Sequence, residues 1–204
     1  MQVTDVLRNE HEVIQQVLDC LEELAERAGT QAGMDVPSAE SALDFLASFA
    51  DRCHHAKEEQ LLFPALNARG MPRQVGPIAV MLHEHEVGRA AVAKMRAAVE
   101  DAKREAAGAP RRFAAAAREY VALLRDHIAK ENGVLFPMAD QMLGEERQRE
   151  LLCDFERVEH HDLGHGTHER YIESARSLCK HLGIEWAPHT AGAHACCGHT
   201  SACH

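Results

Sequence analysis

Two stretches of the chain carry the same set of chemical groups. Residues 53–66 read CHHAKEEQLLFPAL and residues 126–139 read DHIAKENGVLFPMA. In each, a histidine is followed four positions later by a glutamate and nine positions later by a phenylalanine: His54, Glu58 and Phe63, then His127, Glu131 and Phe136. On a helix, residues four apart stand one above the other on one face. Each pair therefore offers an imidazole and a carboxylate side by side next to apolar Leu and Phe. A second repeat accompanies the first: NEHEVIQQVL at 9–18 resembles HEHEVGRAAV at 83–92, adding His11 and His85. The result is two equal sets, each of one histidine plus one His-x-x-x-Glu pair. Four imidazoles and two carboxylates suit a dinuclear metal centre, because imidazole is a borderline donor while a carboxylate neutralises charge and can bridge two ions. Two iron ions fit this mixture, with manganese or zinc as alternatives; a thiolate-rich zinc site does not. Carboxylates buried among apolar side chains are costly unless a cation compensates them.

The elements that must position these groups read as helices. Apolar residues at Val3, Val6, Leu7, Val13, Ile14, Val17, Leu18, Leu21 and Leu24 recur at helical steps over residues 2–28. A second helix begins near Ser38 or Ser41 and ends before Gly70, a third runs from about Gly76 to Ala106, and a fourth from Pro110 to about Met142. Pro64 and Pro137 are expected to kink or end the last turns of the second and fourth. His11 precedes His54 by 43 positions and His85 precedes His127 by 42, so helices 1 and 2 look like a copy of helices 3 and 4. The expected fold is all-α, an antiparallel up-down four-helix bundle over residues 1–142. An additional helical segment follows at 143–186, interrupted near Gly164 and Gly166, and a flexible tail at 187–204. With 46% apolar, 26% charged and only 4% aromatic residues, the composition favours helices over sheet.

The net charge of −10 argues against a nucleic-acid partner, and no apolar run approaches the length of a membrane span. The polar N-terminus has no signal-peptide core. Seven cysteines, an odd number scattered over helical sequence, fit a reducing cytoplasm rather than a disulfide framework.

The four motifs in order, EH, HxxKEExxLFP, EHxxGR and HxxKExxxLFP, resemble the hemerythrin-like, or HHE cation-binding, family over roughly residues 1–142. That resemblance implies a four-helix bundle around a non-haem di-iron centre. It implies His11, His54, Glu58, His85, His127 and Glu131 as ligands, with both glutamates candidates for bridging. The chain departs from the oxygen-carrying hemerythrins, which place a histidine four before the third-helix ligand and an aspartate five after the fourth-helix ligand. Met81 and Asn132 stand at those positions. The chain is more similar to the symmetrical branch, whose members are linked to nitric oxide, peroxide and iron–sulfur repair chemistry. The resemblance implies a small diatomic or peroxide as ligand, with turnover left open. The alternatives are iron handling for storage or cluster repair, and oxygen or nitric oxide sensing; no protein partner is indicated.

His55 and Glu59 also stand four apart, but alignment of the repeats selects His54 and Glu58. His55 and Glu59 then read as a flanking exposed pair or as partners lying behind the ligands. His83 points away from His85. In the segment FERVEHHDLGHGTHERYIESARSL, His160, His161, His165 and His168 are dense, and His168 with Tyr171 is a candidate to lie over the bundle mouth as a further ligand or proton donor. Cys53 reads as a small core residue; Cys20, Cys153 and Cys179 need no special role. In the tail, His189, His194, His199 and His204 interleave with Cys196, Cys197 and Cys203, a composition able to bind zinc, copper or nickel.

Overall fold

The computed structural model of the protein describes residues 1–30, 33–162 and 166–187, with no side chains described at 159–162. The described residues form six helical rods and no strand. They are α1 (Val3–Ala28), α2 (residues 36–68), α3 (Pro77–Lys103), α4 (residues 109–142), α5 (Glu145–Asp162) and α6 (Thr167–Leu182). Helices α1–α4 make the antiparallel up-down bundle, each packing on its two neighbours. Among the described residues no helix is long and apolar enough to cross a membrane.

Local chemistry sets the ends of these rods. Asp35, not Ser38, caps α2: its carboxylate accepts the Ser38 N–H at 3.2 Å. Pro77 and Pro110 occupy the first turns of α3 and α4, each after a glycine with positive φ, Gly76 at 75° and Gly108 at 76°. Helix α3 stops at Lys103, short of the expected Ala106, in a turn where Glu105 takes φ 55°.

Neither Pro64 nor Pro137 ends its helix. In both places the chain widens into a π-helical turn, Glu58–Leu62 and Glu131–Leu135, and then resumes as α-helix to Ala68 and Met142. The Phe63 N–H reaches back five residues to the Glu58 carbonyl, and the Phe136 N–H does the same to Glu131. A proline has no N–H to give to the preceding turn, and the wider ladder absorbs that missing bond without a break. A longer π-helical stretch, Leu46–His55, precedes the first of these turns in α2.

Two apolar clusters form the core. The larger joins Val13–Ala28 positions of α1 with Leu43, Phe45 and Phe49 of α2, Met95 of α3 and Phe113–Ile128 positions of α4. The smaller joins Val3 and Leu7 with Phe63, Leu66, Ile78, Phe136, Leu151 and Phe155. Between them lies a buried layer of histidine and glutamate. Helix α6 packs on α1 and α2 and contributes Tyr171, Ala175, Leu178 and Leu182 to the larger cluster, so it is part of the core. Cys179 of α6 meets Cys20 of α1 with sulfurs 3.3 Å apart, both fully buried.

Candidate metal centre

The polar layer is assembled from four helices. His11 comes from α1, His54, His55 and Glu58 from α2, His85 from α3, and His127 and Glu131 from α4; all are buried. The π-helical geometry of α2 matters here. More residues per turn means a smaller angle between neighbours, so His54 and His55 both face the bundle axis along with Glu58.

Two groups of ligand atoms result, each with its members within 4.8 Å of one another. One is His11, His54, Glu58 and Glu131; the other is His55, Glu58, His85 and His127. Glu58 belongs to both, with Oε1 3.8 Å from His54 Nε2 and Oε2 3.4 Å from His85 Nε2. Glu131 also spans the layer, its Oε2 lying 3.2 Å from His11 Nε2 and 3.3 Å from His127 Nε2. Each glutamate thus touches one histidine from each group, which is the disposition of a bridge.

Behind each imidazole stands an oxygen that fixes its orientation. Nδ1 of His11 meets Asn132 Oδ1 at 3.0 Å, that of His54 meets Glu10 at 2.9 Å, and that of His55 meets Asp51 at 3.3 Å. Nδ1 of His85 meets Glu59 at 2.7 Å, and that of His127 meets Glu84 at 3.0 Å. With Nδ1–H committed to the oxygen, Nε2 is left with its lone pair towards the centre, and the anionic partners raise its basicity. The repeated EH and HxxKE motifs interlock through these contacts. Glu10 holds His54 and Lys57, and Glu84 holds His127 and Lys130. Their neighbours His11 and His85 reach across to the glutamate of the opposite half.

Electrostatics separate the two central carboxyls. Burial, reinforced by the Glu131 charge, pushes Glu58 well above the usual carboxylate range. Burial works against ionisation of Glu131 too, but His127 and His11 outweigh it and hold Glu131 well below that range. Burial and the nearby His11 pull the His54 imidazole down to about 4, and burial with His85 pulls His55 well below its ordinary value. Both oxygens of Glu58, both of Glu131, and Nε2 of His11 and His54 are buried without a hydrogen-bond partner. Orphaned groups of this kind cost on the order of several kcal/mol per buried ion, and a cation between them removes that cost. The donor set, imidazole and carboxylate without thiolate, fits iron, manganese or zinc.

The Hemerythrin HHE cation binding domain matches residues 2–139. The chain belongs to this family. Hemerythrin-like membership implies metal binding, iron in particular, and the two ligand groups are where the metal fits. Among relatives, an uncharacterized protein of Mycobacterium tuberculosis is 24% identical over 178 residues, covering 87% of this chain and 69% of its own length. A counterpart from Mycobacterium bovis matches to the same extent. The iron-sulfur cluster repair protein DnrN of Neisseria gonorrhoeae is 36% identical over 97 residues, covering 46% of this chain and 60% of its own. No solved structure matches.

The hemerythrin-like centre gathers six of the seven residues expected from the sequence: His11, His54, Glu58, His85, His127 and Glu131. The seventh, His168, joins neither group. It packs against Phe49, with Nε2 3.6 Å from Glu10 Oε1, behind the acid that orients His54. Tyr171 turns into the apolar core edge-on to Phe45 rather than over a mouth. His55 is a correction: expected at the exposed flank or behind the ligands, it is buried, stacks on His85 with ring centroids 3.8 Å apart, and enters the second ligand group. The alignment of the repeats hid it, because His55 falls on Ile128 in the other half, and the π-helical turns of α2 let it face inward beside His54. Glu59 lies behind His85, as one of its two expected readings had it, and also meets Arg89 at 2.7 Å. His83 is exposed. His165 and the tail histidines and cysteines lie outside the described residues, as do the side chains of His160 and His161.

Proposed function

We propose that the protein is a non-haem di-iron protein that binds or redox-processes a small oxidant (oxygen, nitric oxide or hydrogen peroxide) in an oxidative or nitrosative stress response. The observation that carries this reading is the pair of four-residue ligand groups sharing Glu58, with orphaned carboxylate oxygens aimed between them. Iron ions held there supply one-electron redox chemistry and coordination positions for a diatomic or peroxide. The histidines would hold the ions through Nε2 and Glu58 and Glu131 would serve both groups, while the ring of oxygens on Nδ1 keeps the imidazoles in place. The apolar clusters on either side keep bulk water from the layer.

Iron handling for iron–sulfur cluster repair is a second reading, favoured by the similarity to DnrN. Metal analysis with a visible spectrum separates the two. Protein purified anaerobically and then exposed to air, nitric oxide or peroxide is expected to carry about two irons per chain and to change its charge-transfer bands on exposure. Sustained peroxide or nitric oxide consumption marks an enzyme, and a stable altered spectrum marks a binder. Transfer of iron to an acceptor cluster, with no response to the oxidants, favours the repair reading. Zinc alone overturns the di-iron proposal.

A further inference from the structure

The two halves of the bundle match in register: a shift of 74 positions carries α1 onto α3, and a shift of 73 carries α2 onto α4. One of the mismatches lies next to the centre. Beside His55, between α2, α3 and α4, lies a cavity of about 110 Å³ whose walls include Leu46, Ala47, Gly88, Val92, Tyr120 and Leu124. In the other half, Ile14 stands where Gly88 stands, Leu18 for Val92, Tyr120 for Ala47, Leu124 for Asp51 and Ile128 for His55. All five of those larger residues are buried and part of the apolar core. One half fills this position with hydrocarbon; the other leaves a space that ends on an imidazole.

We propose that this cavity is the docking chamber for a small uncharged ligand of diatomic or peroxide size, reaching the centre on the His55 side, and that Gly88 determines what enters. The proposal rests on the function proposed above and names its ligand subsite. Size supports it: a water takes roughly 30 Å³ of liquid volume, so the cavity admits a molecule of two to four heavy atoms and little more. Charge supports it too. Of the charged residues on the wall, Asp51 and Arg89 are tied to each other at 2.8 Å and Glu84 is paired with His127 and Lys130, so the ionic groups of the lining are already satisfied. Tyr120 is a buried residue of the cavity wall and brings a hydroxyl, a hydrogen-bond donor, to it. Gly88 makes the room: a Cβ built there would already stand 3.5 Å from Tyr120 Cε2 and 4.0 Å from Leu123 Cδ2. A methyl group is accommodated without strain, whereas the isoleucine of the matching position closes the space.

A second cavity, of about 410 Å³, opens at His11 among Arg8, Glu12, Gln15 and Asn132 and is the competing route. The test uses the metal-loaded full chain and nitric oxide as the probe. Stopped-flow association is compared for wild type, Gly88→Ala, Gly88→Ile and Gln15→Trp, alongside xenon-pressurised crystals. Gly88→Ile is expected to keep its metal content, lose the xenon peak beside His55 and slow nitric oxide association by about tenfold or more, because a packed side chain must move before the ligand enters. Gly88→Ala should fall between, and Gln15→Trp should match wild type. If Gly88→Ile does not fold, Gly88→Ala and the wild-type xenon map carry the test. Unchanged association in the Gly88 variants, or no xenon in the wild-type cavity, overturns the chamber while leaving the proposed function standing. Slowing by Gln15→Trp alone assigns entry to the His11 side and also overturns it. Fully loaded wild type that responds to neither nitric oxide, oxygen nor peroxide overturns the proposed function itself.

Discussion

The His11 side and the His55 side of the polar layer are built to one plan and finished differently. On both, an acid next to a ligand histidine holds the His and Lys of an HxxKE motif: Glu10 with His54 and Lys57, Glu84 with His127 and Lys130. On both, the ligand histidine itself leans on the residue after the opposite glutamate, Asn132 for His11 and Glu59 for His85. The sides part where His55 replaces a position held by Ile128 in the other half, giving three imidazoles on one side and two on the other. A duplicated scaffold brings two groups of candidate ligands together, and a few unmatched residues make the two groups inequivalent. That inequivalence can be tested directly.

The largest effect is expected at the shared carboxylate. Glu58→Ala removes a ligand from both groups, and metal content should fall from about two ions per chain towards none, with affinity reduced on the order of 100-fold or more. Elemental analysis after dialysis checks this. Next comes the pair of outer acids. Lys57 is fully buried whereas the Lys130 side chain is 36% exposed. Replacing the buried carboxylate beside Lys57 and His54 by Glu10→Gln should cost about 1–3 kcal/mol in denaturant unfolding, because a buried charged hydrogen bond is weakened. Glu84→Gln should cost far less stability, since water can solvate Lys130, while both variants weaken metal binding by about 10–100-fold. Equal stability losses would show that the burial difference is without consequence.

His55→Ile copies the other half and should remove one of three imidazoles from one group only. Metal content is expected to drop towards one ion per chain, with the second site weakened by about 10-fold or more. Loss of both ions together would mean that the groups do not load separately. The smallest effect belongs to Asn132→Asp, which places an anion behind His11 as Glu59 stands behind His85. A several-fold tighter hold on the metal at that side is expected, read by competition with a chelator.

Metal uptake also has a proton cost whose sign follows from Glu58. Burial and the Glu131 charge push the Glu58 carboxyl well above the usual carboxylate range, towards its protonated form, when no cation lies beside it. An entering cation must displace that proton, so loading in weak buffer should acidify the solution and affinity should fall as pH falls.

The repeat, the ligand types and the helical rods were legible in the sequence because each depends on spacing within one helix. His54 with Glu58, and His127 with Glu131, are four-residue neighbours, and His11 with His85 follow from the duplication. The outer acids Glu10 and Glu84 were visible only as neighbours of ligands, since their partners lie 44 and 43 residues away on other helices. A signal was nevertheless present: the repeated lysine of HxxKE needs an anion, and each EH motif supplies one. His55 was misplaced for a different reason. The repeat aligns it with Ile128, which carries no ligand atom, and the π-helical stretch from Leu46 turns it inward. The core place of Tyr171, expected over the bundle mouth, was not legible because its helix follows the bundle in the chain, yet α6 lies along α1 and α2 and completes the core.

The sequence by itself determined a duplicated helical scaffold and the chemistry of its ligands, because helix periodicity and ligand spacing are properties of short stretches of chain. Tertiary structure alone decided three further things: that Glu58 and Glu131 each face both groups, that His55 joins them, and that Gly88 opposite Tyr120 leaves a space on one side. Each of these depends on how one helix is rotated and seated against another, and no single helix carries that information.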